Sequence, residues 1–410
     1  MALNYVWIAF FVIAFIVALF KLIFLGDVQI FSNVMNGMFD SAKTGAEISL
    51  GLVGIMTFWL GIMKIGEKAG MISLFAKGVN PFFSKLFPQV PKNHPANGSI
   101  IMNFSANMLG LDNAATPVGL KAMKELQKLN PDKDTATNAQ IMFLVLNTAG
   151  ITLIPTSVIA LRMANGAANP ADIFIPALIG TFISFISGML AVAAFQKINL
   201  FKLPILVFLG SFVGLMALLY VSLNGLSPDR MQEITGLIGG LLILSIIILF
   251  IVYGAFKKIN VYDAFIDGAK EGFQTAVMII PFLIAILVAI SVFRTTGCMD
   301  YIVGAIASAV SFFGLDTRFV PALPVGLMKT LSGGGARGLM VDVMTTYGAD
   351  SFQGRLASII QGSSETTFYV LAVYFGSVGI KNTRHALICG LIADFVGLIA
   401  AILLAYIFFG

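Results

Sequence analysis

The sequence predicts an all-α polytopic membrane protein made of two inverted-topology repeats, each with a re-entrant helical hairpin and a broken transmembrane helix. Three observations support this prediction: the composition, a series of long apolar runs, and a similarity between the two halves. Hydrophobic residues make up 58% of the 410 residues and charged residues only 11%, whereas soluble domains carry about 25% charged residues. So little charge cannot cover the surface of a soluble protein of this length.

The apolar runs predict the membrane spans. Runs such as 233–256 and 384–409 are long enough to cross about 30 Å of hydrocarbon at about 1.5 Å per residue. Backbone polar groups in lipid must be satisfied within the segment, so these runs are helices. Spans are predicted near 3–25, 47–65, 138–160, 172–195, 203–223, 233–256, 274–293, 355–380 and 384–409. The first lacks a basic start and a small-residue cleavage site, and it therefore resembles a retained span more than a signal peptide.

The positions of lysine and arginine predict the orientation. If residues 97–120 form a hairpin that returns to its own side, the lysine-rich stretches 64–97 and 121–136 face one compartment. Most basic residues then lie on that side. We expect a bacterial inner (cytoplasmic) membrane protein with its N-terminus in the cytoplasm and its C-terminus outside. The net charge of +5 then reflects topology, and nucleic acid is not expected as a partner.

The two halves of the chain resemble each other. Residues 39–45 (FDSAKTG) match residues 266–272 (IDGAKEG) at Asp, Ala, Lys and Gly. Each copy precedes a hydrophobic span, a short apolar segment, an interrupted stretch, a polar-centred span and a clean final span. An odd number of crossings separates the two copies, so the second begins on the opposite face. The repeats are therefore predicted to be inverted, as in many secondary transporters.

The first interrupted stretch, residues 103–117, predicts a hairpin of two half-helices. Gly110, Asp112 and Asn113 supply the turn and cap chemistry of such a hairpin, and Pro117 fits a first helical turn. The hairpin would bring a carboxylate, amide side chains and helix ends to membrane depth. The alternative is that Asp112 is an ordinary helix cap in a buried tip.

The second interrupted stretch, residues 329–342, contains three consecutive glycines that let backbone N–H groups approach a bound group closely. A half-helix that starts there points its positive end at an anion. Lys329 and Arg337 are costly inside a hydrophobic protein unless they are paired or face water. They are therefore predicted either to contact an anionic substrate or to form internal ion pairs. The candidate partners for such pairs are Asp342, Glu365 and Asp112.

The spans 138–160 and 355–380 each carry a polar cluster at their centre, at 147–157 and 361–367. So many polar side chains cannot face lipid without a large penalty, so they line a cavity or contact each other. Glu365 is the strongest candidate for a coupling-ion site, with H⁺ or Na⁺ as the ion; the alternative is a structural partner of Arg337. The expected substrate-binding residues are Asn103, Asn107, Asp112, Asn113, Asn147, Thr148, Lys329, Ser332, Gly334, Arg337, Ser363, Ser364, Glu365 and Thr366.

Nothing in the sequence favours an enzyme. It has no Gly-x-Ser-x-Gly elbow, no His-Glu-x-x-His and no Cys–His pairing, and a carboxylate dyad of an intramembrane protease is disfavoured. Cys298 and Cys389 have the pattern of small apolar residues rather than a disulfide. His94 and His385 lack companions at ligand spacing, so no metal site is expected. No cofactor is predicted beyond the coupling ion.

Long motifs in both halves resemble a known family. Residues 1–200 resemble spore maturation protein A, and residues 201–410 resemble spore maturation protein B. The motifs are FWLGIMKIGEKAG (58–70), KLFPQVPKNHPANG (85–98), LGLDNAATPVGLKAM (109–123), LNTAGITLIPTSVIALRMA (146–164), VYDAFIDGAKEGFQTAV (261–277), LMKTLSGGGARGLM (327–340) and QGSSETTFYVLAVYFGSVGIKNTRHAL (361–387). The resemblance implies a natural fusion of two gate repeats, 1–200 and 201–410.

This family belongs to the nucleoside-recognition or gate group, which is similar to the membrane parts of concentrative nucleoside transporters and bacterial ferrous iron transporters. The resemblance implies inverted repeats with hairpins and broken helices. We expect a secondary transporter of a small polar solute, anionic or nucleoside-like, that works by alternating access at a midplane site. Lys329 and Arg337 repel cations, which disfavours iron. The alternative is a non-transporting scaffold of envelope or spore maturation. The expected partners are the solute and the lipid bilayer, and a homo-oligomer is left open.

Overall fold

The structure, a computed structural model, describes residues 2–110, 112–153, 155–223 and 228–410. The described chain is helical, with one 3₁₀ turn at Val320–Ala322 and no strand longer than an isolated bridge. The helices are α1 Ala2–Leu25, α2 Ile30–Ala69, α3 Met71–Leu86, α4 Pro95–Met108, α5 Asp112–Lys128, α6 Asn138–Thr148, α7 Thr156–Ala164, α8 Phe174–Gln196, α9 Leu203–Leu223, α10 Pro228–Phe256, α11 Val261–Thr295, α12 Cys298–Phe312, α13 Leu323–Leu331, α14 Gly333–Tyr347, α15 Phe352–Gly362, α16 Thr367–Gly376 and α17 Ala386–Phe409.

Six helical segments in the described residues are long and apolar enough to cross a membrane. They are Asn4–Leu25, Ile30–Ala69, Phe174–Gln196, Glu233–Phe256, Val261–Thr295 and Ala386–Phe409. Shorter apolar helices occupy Leu203–Leu215, Cys298–Phe312 and Val320–Leu331. The protein is therefore an all-α polytopic membrane protein, as the composition predicted.

Two helices are much longer than predicted. Spans were expected at 47–65 and 274–293, but α2 has 40 residues and α11 has 35. The added residues include the repeated segment in each half. Most charged side chains there are exposed, with Glu271 half-buried, and Lys43 lies 3.9 Å from Glu47 one turn later, so these charges leave the helix intact. The apolar sequence ends at the boundary of each predicted span, whereas the helix continues beyond that boundary.

The polar-centred spans are broken, as predicted. Residues 138–160 form α6 and α7, between which the described residues 149–153 and 155 are not helical, and residues 355–380 form α15 and α16 with an interruption from 363 to 366. Pro155 lacks a backbone N–H donor and stands just before the first turn of α7, where a helix tolerates proline. Both interrupted stretches also form pairs of packed helices, α4 with α5 and α13 with α14.

The two halves share one order of elements. Helices α1 to α8 are followed, after α9, by α10 to α17 in the same sequence of types. Each series contains a long first helix, a very long second helix, a helix of about four turns, a hairpin, a broken helix and a long final helix. The order of helices is therefore the same in both series.

The chain divides into two compact units that do not follow the halves. Unit 1 consists of Met1–Trp59, Ser157–Pro170 and Ala269–Gln361. Unit 2 consists of Leu60–Thr156, Ala171–Gly268 and Gly362–Gly410. Each unit thus contains segments from both halves. The division into gate repeats 1–200 and 201–410 concerns the sequence, and it stays a prediction.

Within unit 1, helices α2 and α11 approach closely at two repeated glycines. A Cβ atom on Gly45 would lie 3.0 Å from Ile284 Cγ1, and one on Gly272 would lie 2.7 Å from Thr57 Cα. The sequence match pairs Gly45 with Gly272, and the same offset pairs Thr57 with Ile284. If the two copies are exchanged, the Gly45–Ile284 contact becomes the Gly272–Thr57 contact. Two elements related by a two-fold axis make reciprocal contacts of this kind. Along this contact the helices run antiparallel, as an inverted pair would.

The core of unit 2 holds the hairpin and the first half-helix in place. Phe83 stacks on Phe104 of α4 with ring centroids 4.4 Å apart, and Phe104 lies 5.6 Å from Phe143 of α6. All three rings are at most 3% exposed. Buried rings of this size contribute large apolar areas, so α3, α4 and α6 form a fixed frame for the polar groups at their ends.

Candidate functional site

The two broken helices meet in unit 2 at their interruptions. We call this place the helix crossing and define it as residues 147–150 and 363–367. The N–H of Glu365 donates to the carbonyl of Thr148 at 2.8 Å, and the Thr181 hydroxyl donates to the carbonyl of Gly150 at 2.7 Å. An interruption leaves helix-end groups without intrahelical partners, and these two bonds satisfy part of that set. The crossing is thus built from main-chain groups at the ends of half-helices.

A chain of amide side chains ties the α4–α5 hairpin to the helix crossing. Asn107 Nδ2 donates to Asn147 Oδ1 at 2.9 Å and lies 3.4 Å from Asn103 Oδ1. Asn103 Nδ2 donates to the carbonyl of Ala115 at 2.9 Å. Asn103 and Asn147 are buried and Asn107 is half-buried. Three of the predicted site residues therefore form one hydrogen-bonded network. The side chains of Asp112 and Asn113 lie outside the described residues.

The side chains of the second interruption differ in exposure. Ser363 and Thr366 are buried, Ser364 is half-buried and Glu365 is exposed. A Cβ atom on Gly150 would lie 3.6 Å from Glu365 Cγ, so the side chain of Glu365 packs over this glycine. Of the predicted residues, Asn103, Asn107, Asn147, Thr148 and Glu365 are thus connected within unit 2 by hydrogen bonds or main-chain contacts, and the Glu365 side chain is exposed.

One buried carboxylate beside the helix crossing was missed in the sequence. Asp394 lies within α17, is 7% exposed, and accepts a 2.6 Å hydrogen bond from the hydroxyl of Thr367 at the helix crossing. Residues 384–409 were interpreted as a clean span because one carboxylate hardly lowers the hydropathy of so apolar a run. A lone acidic residue inside a span is, however, a signal in itself.

The fourth predicted stretch lies in unit 1, in the α13–α14 hairpin. Lys329 is buried, and its Nζ donates to the carbonyl of Gln361 at 3.0 Å. Ser332 caps α14, because its hydroxyl accepts from the N–H of Gly335 at 3.1 Å. Gly334 is exposed and Arg337 half-buried. The start of α14 therefore combines an open glycine backbone with a basic side chain, a combination suited to an anion.

An expected ion pair in this hairpin is replaced by another. Asp342 was one predicted partner of Lys329 and Arg337, but in the structure it binds Arg294 of α11, which donates from Nε at 3.1 Å and from Nη2 to the second oxygen. Such two-point pairing fits the planar guanidinium fork. Arg294 and Asp342 are far apart in the sequence, and only packing of α11 on α14 brings them together. Arg337 consequently keeps no pairing with Asp342.

The remaining candidates for metal chemistry stay scattered. Cys298 and Cys389 are buried free thiols. Among the residues whose placement the structure describes, no group of three or more His, Cys, Asp or Glu side chains could hold a metal ion. The chemistry concentrated at the site is instead that of amides, hydroxyls, helix ends and a few charges.

Comparisons with known proteins agree with this architecture. Residues 49–165 and 276–381 match the Gate family model, which is described as "Nucleoside recognition", and each matched segment contains one half of the helix crossing. The chain is 43% identical over 187 residues to spore maturation protein A of Bacillus subtilis (strain 168), across 46% of this chain and 92% of that protein. It is 46% identical over 160 residues to spore maturation protein B of the same organism, across 39% of this chain and 88% of that protein. The chain therefore belongs to the Gate family and resembles a fusion of the two spore maturation proteins.

Proposed function

We propose that the protein is a secondary transporter of a small polar solute, anionic or nucleoside-like, that works by alternating access in the bacterial inner membrane. The helix crossing of unit 2 carries this proposal. It holds half-helix ends and the amide of Asn147, to which the amides of Asn107 and Asn103 are connected by hydrogen bonds, inside a membrane protein. Interrupted helices that expose polar backbone are tolerated at such depth only inside protein or beside a water-filled cavity, and secondary transporters use them to hold solutes.

Two observations favour different solute classes. Amide groups both donate and accept, which suits the edge of a heterocyclic base, and the family description names nucleosides. The start of α14 in unit 1, with Gly334 exposed and Arg337 half-buried, suits a negatively charged group. Nucleosides and small anions are therefore the first candidates. Glu365 is proposed to contact solute at the accessible side of the crossing.

A thermal-shift screen of the purified full-length protein tests the proposal. The ligands are nucleosides, nucleoside monophosphates, inorganic phosphate and dicarboxylates, each at saturating concentration. We expect one class to raise the melting temperature, since a ligand that binds only the folded state stabilises it. Asn107→Leu should remove the shift, whereas Ser311→Ala, on the exposed end of α12, should keep it. Uptake of the same ligand into proteoliposomes then completes the test; stabilisation without uptake contradicts transport.

A second candidate function is a non-transporting scaffold that holds a partner complex. The internal satisfaction of the Asn103, Asn107 and Asn147 amides favours it, because a closed network needs no solute. The relatives are named for spore maturation, which a scaffold would also serve. The two functions differ in whether water reaches the polar segments.

Cysteine labelling separates the two. In a background with the two native cysteines replaced by alanine, single cysteines at Asn107, Ser332 and Ser364 are treated with a membrane-impermeant thiol reagent. A transporter predicts reaction at these sites, and uniform protection favours the scaffold. Ser311→Cys is the reactive control, because this residue is exposed. Ser49→Cys is the protected control, because Ser49 is only 1% exposed. The same reagent applied from either side tests the proposed cytoplasmic N-terminus.

A further inference from the structure

A carboxyl group lies in the middle of an otherwise uncharged helix. Asp394 is the only acidic or basic residue of α17, and it is 7% exposed. Its Oδ2 accepts a hydrogen bond of 2.6 Å from Thr367 Oγ1. An ionised carboxylate away from water is costly unless a proton, a cation or strong donors compensate it. The surroundings of Asp394 therefore decide what it can bind.

Two threonines lie on the same side of α17. A Cβ atom on Gly390, one turn before Asp394, would lie 3.3 Å from Thr367 Oγ1 and 3.6 Å from Thr148 Cγ2. Thr148 is fully buried, and its Oγ1 has no hydrogen-bond partner among the described residues. Buried hydroxyls without a partner are uncommon and call for an explanation such as a bound ion or water. This one lies beside the threonine that binds Asp394.

The two threonines are the ends of two half-helices. Thr148 is the last residue of α6, and Thr367 is the first residue of α16. Ser184 of α8 adds a third hydroxyl, which donates to the carbonyl of Ala393 at 3.1 Å. A group bound between these oxygens would hold both half-helices against α17. The position therefore couples ligand occupancy to the shape of the helix crossing.

The helices packed against α17 are α6, α8, α10 and α16. Neither α6 nor α8 carries an acidic or basic side chain. Helix α10 carries Asp229, Arg230, Glu233 and Tyr253, and α16 with the interruption before it carries Glu365, Tyr369 and Tyr374. Besides Asp394, α17 and its N-cap carry His385, Cys389 and Tyr406. Asp394 is thus the acidic residue that meets the crossing from the α17 side.

We propose that Asp394, with the hydroxyls of Thr148 and Thr367, binds a monovalent cation, H⁺ or Na⁺, at the helix crossing. Carboxylate and hydroxyl oxygens are hard ligands suited to such ions. The inference rests on the proposed transport function, to which it adds the coupling ion, and it assigns that role to Asp394 rather than to the exposed Glu365. Uptake of the cation stabilises the crossing, and its release frees the two half-helices.

Cation binding is tested on the purified full-length protein without any solute. One series raises Na⁺ at pH 8.5 and constant ionic strength, with K⁺ as the replacement. The other varies pH from about 3.5 to 9 without Na⁺, a scan that begins in the ordinary range of protein carboxyl groups, about 4, and extends well above it. We expect the melting temperature to rise with Na⁺ if Na⁺ is the ion, or to rise as pH falls if the proton is. Asp394→Asn, which is uncharged at every pH, should remove the response. Asp300→Asn, the same change at an exposed site, should keep it.

Thr148→Val keeps the shape of the side chain and removes the hydroxyl. It should raise the half-saturating Na⁺ concentration, or move the pH midpoint, by about tenfold in ion concentration, as expected for the loss of one buried contact. A flat response to both ions overturns the proposal, as does a response that persists in Asp394→Asn. Since no solute is present, cation binding without transport contradicts only the transport function. Solute uptake without cation binding contradicts only the assignment of Asp394.

Discussion

Each compact unit contains a loop that leads into a broken helix, and the two loops are held by different chemistry. In unit 1, Arg162 of α7 donates to the carbonyl of Ala349 at 2.7 Å and binds the carboxylate of Asp350 at 3.0 Å, just before α15. In unit 2, Lys381, which follows α16, binds Asp134 before α6, also at 3.0 Å. In both, a basic residue near the second half of one broken helix secures the entry to the other.

The two loops differ in burial. Arg162 is fully buried and Asp350 is 35% exposed, whereas the side chains of Lys381 and Asp134 are 80% and 62% exposed. Removing one partner of a buried ion pair leaves an uncompensated charge, while an exposed pair is screened by water. The two salt bridges have the same N–O distance of 3.0 Å, but they are expected to contribute unequally to the free energy of unfolding. Unit 1 depends on charge at this loop, and unit 2 depends on the amides and backbone bonds around its salt bridge.

The largest effect is expected from Arg162→Met. The substitution leaves the carbonyl of Ala349 without its buried donor, whereas Asp350 is 35% exposed and keeps the bond from the N–H of Ala168 at 2.8 Å. We therefore expect a loss of about 2 to 3 kcal/mol in the free energy of unfolding, less than the about 3 to 5 kcal/mol of a fully buried pair. Denaturation of the purified protein by SDS, followed by circular dichroism, measures it. A loss below about 1 kcal/mol, the range of exposed pairs, would remove the difference between the units.

Asn147→Leu should have the next largest effect. It removes the acceptor that binds Asn107 at 2.9 Å. Because Asn107 is half-buried, we expect a loss of about 1 to 2 kcal/mol, the lower part of the range for an unsatisfied buried donor. Combining it with Asn107→Leu gives a double-mutant cycle, in which we expect a coupling energy of about 1 kcal/mol because the two residues share one bond. Additive single effects would show that the amide network does not stabilise unit 2.

Gln140→Ala tests the cap of α6. Gln140 Oε1 accepts from the N–H of Thr137 at 2.9 Å, Thr137 Oγ1 accepts from the N–H of Gln140 at 3.2 Å, and Gln140 Nε2 donates to Gln127 at 2.7 Å. Loss of one side of such a capping box costs about 1 kcal/mol. The same denaturation series measures it. If Gln140→Ala has no effect while Lys381→Met does, the salt bridge and not the amides holds this loop.

Lys381→Met should have the smallest effect, between about 0 and 1 kcal/mol, because the pair is exposed. The backbone bonds from Lys381 and Asn382 to the carbonyl of Asp134, both 2.9 Å, remain in the variant. Raising the salt concentration should reproduce the effect in the wild-type protein, since salt screens exposed charges. A larger loss than that of Arg162→Met reverses the comparison.

Local chemistry could be predicted from the sequence, but partners distant in the chain could not. The interruptions between α6 and α7 and at 363–366 were predicted because Gly150, Pro155 and a run of hydroxyl residues disfavour a continuous apolar helix. The partner of Asp342 was not, because Arg294 comes from another helix and many carboxylates were available. The full length of α2 was also missed, since hydropathy reports burial in lipid and not helical hydrogen bonding.

Asp394 illustrates a different failure. Its position was visible, but one carboxylate in a long apolar run changes the average hydropathy little, and its importance comes from Thr367, which the fold brings to within 2.6 Å. The predicted site residues of unit 2, by contrast, lay in dense clusters, and the structure brings Asn103, Asn107 and Asn147 into one network. Dense clusters of polar residues were recognised in the sequence, whereas the isolated Asp394 was overlooked.

The interleaving of the halves has a consequence for how the protein is made. Helices α6 and α16 have 11 and 10 residues, about half of what is needed to cross a bilayer alone. They pack against each other in unit 2, yet one is synthesised long before the other. Until the second half has been synthesised, the short helices and polar helix ends of the first half therefore lack their partners. Joining both halves in one polypeptide supplies them in equal number and at the same place, which shortens the time during which the first half lacks its partner helices.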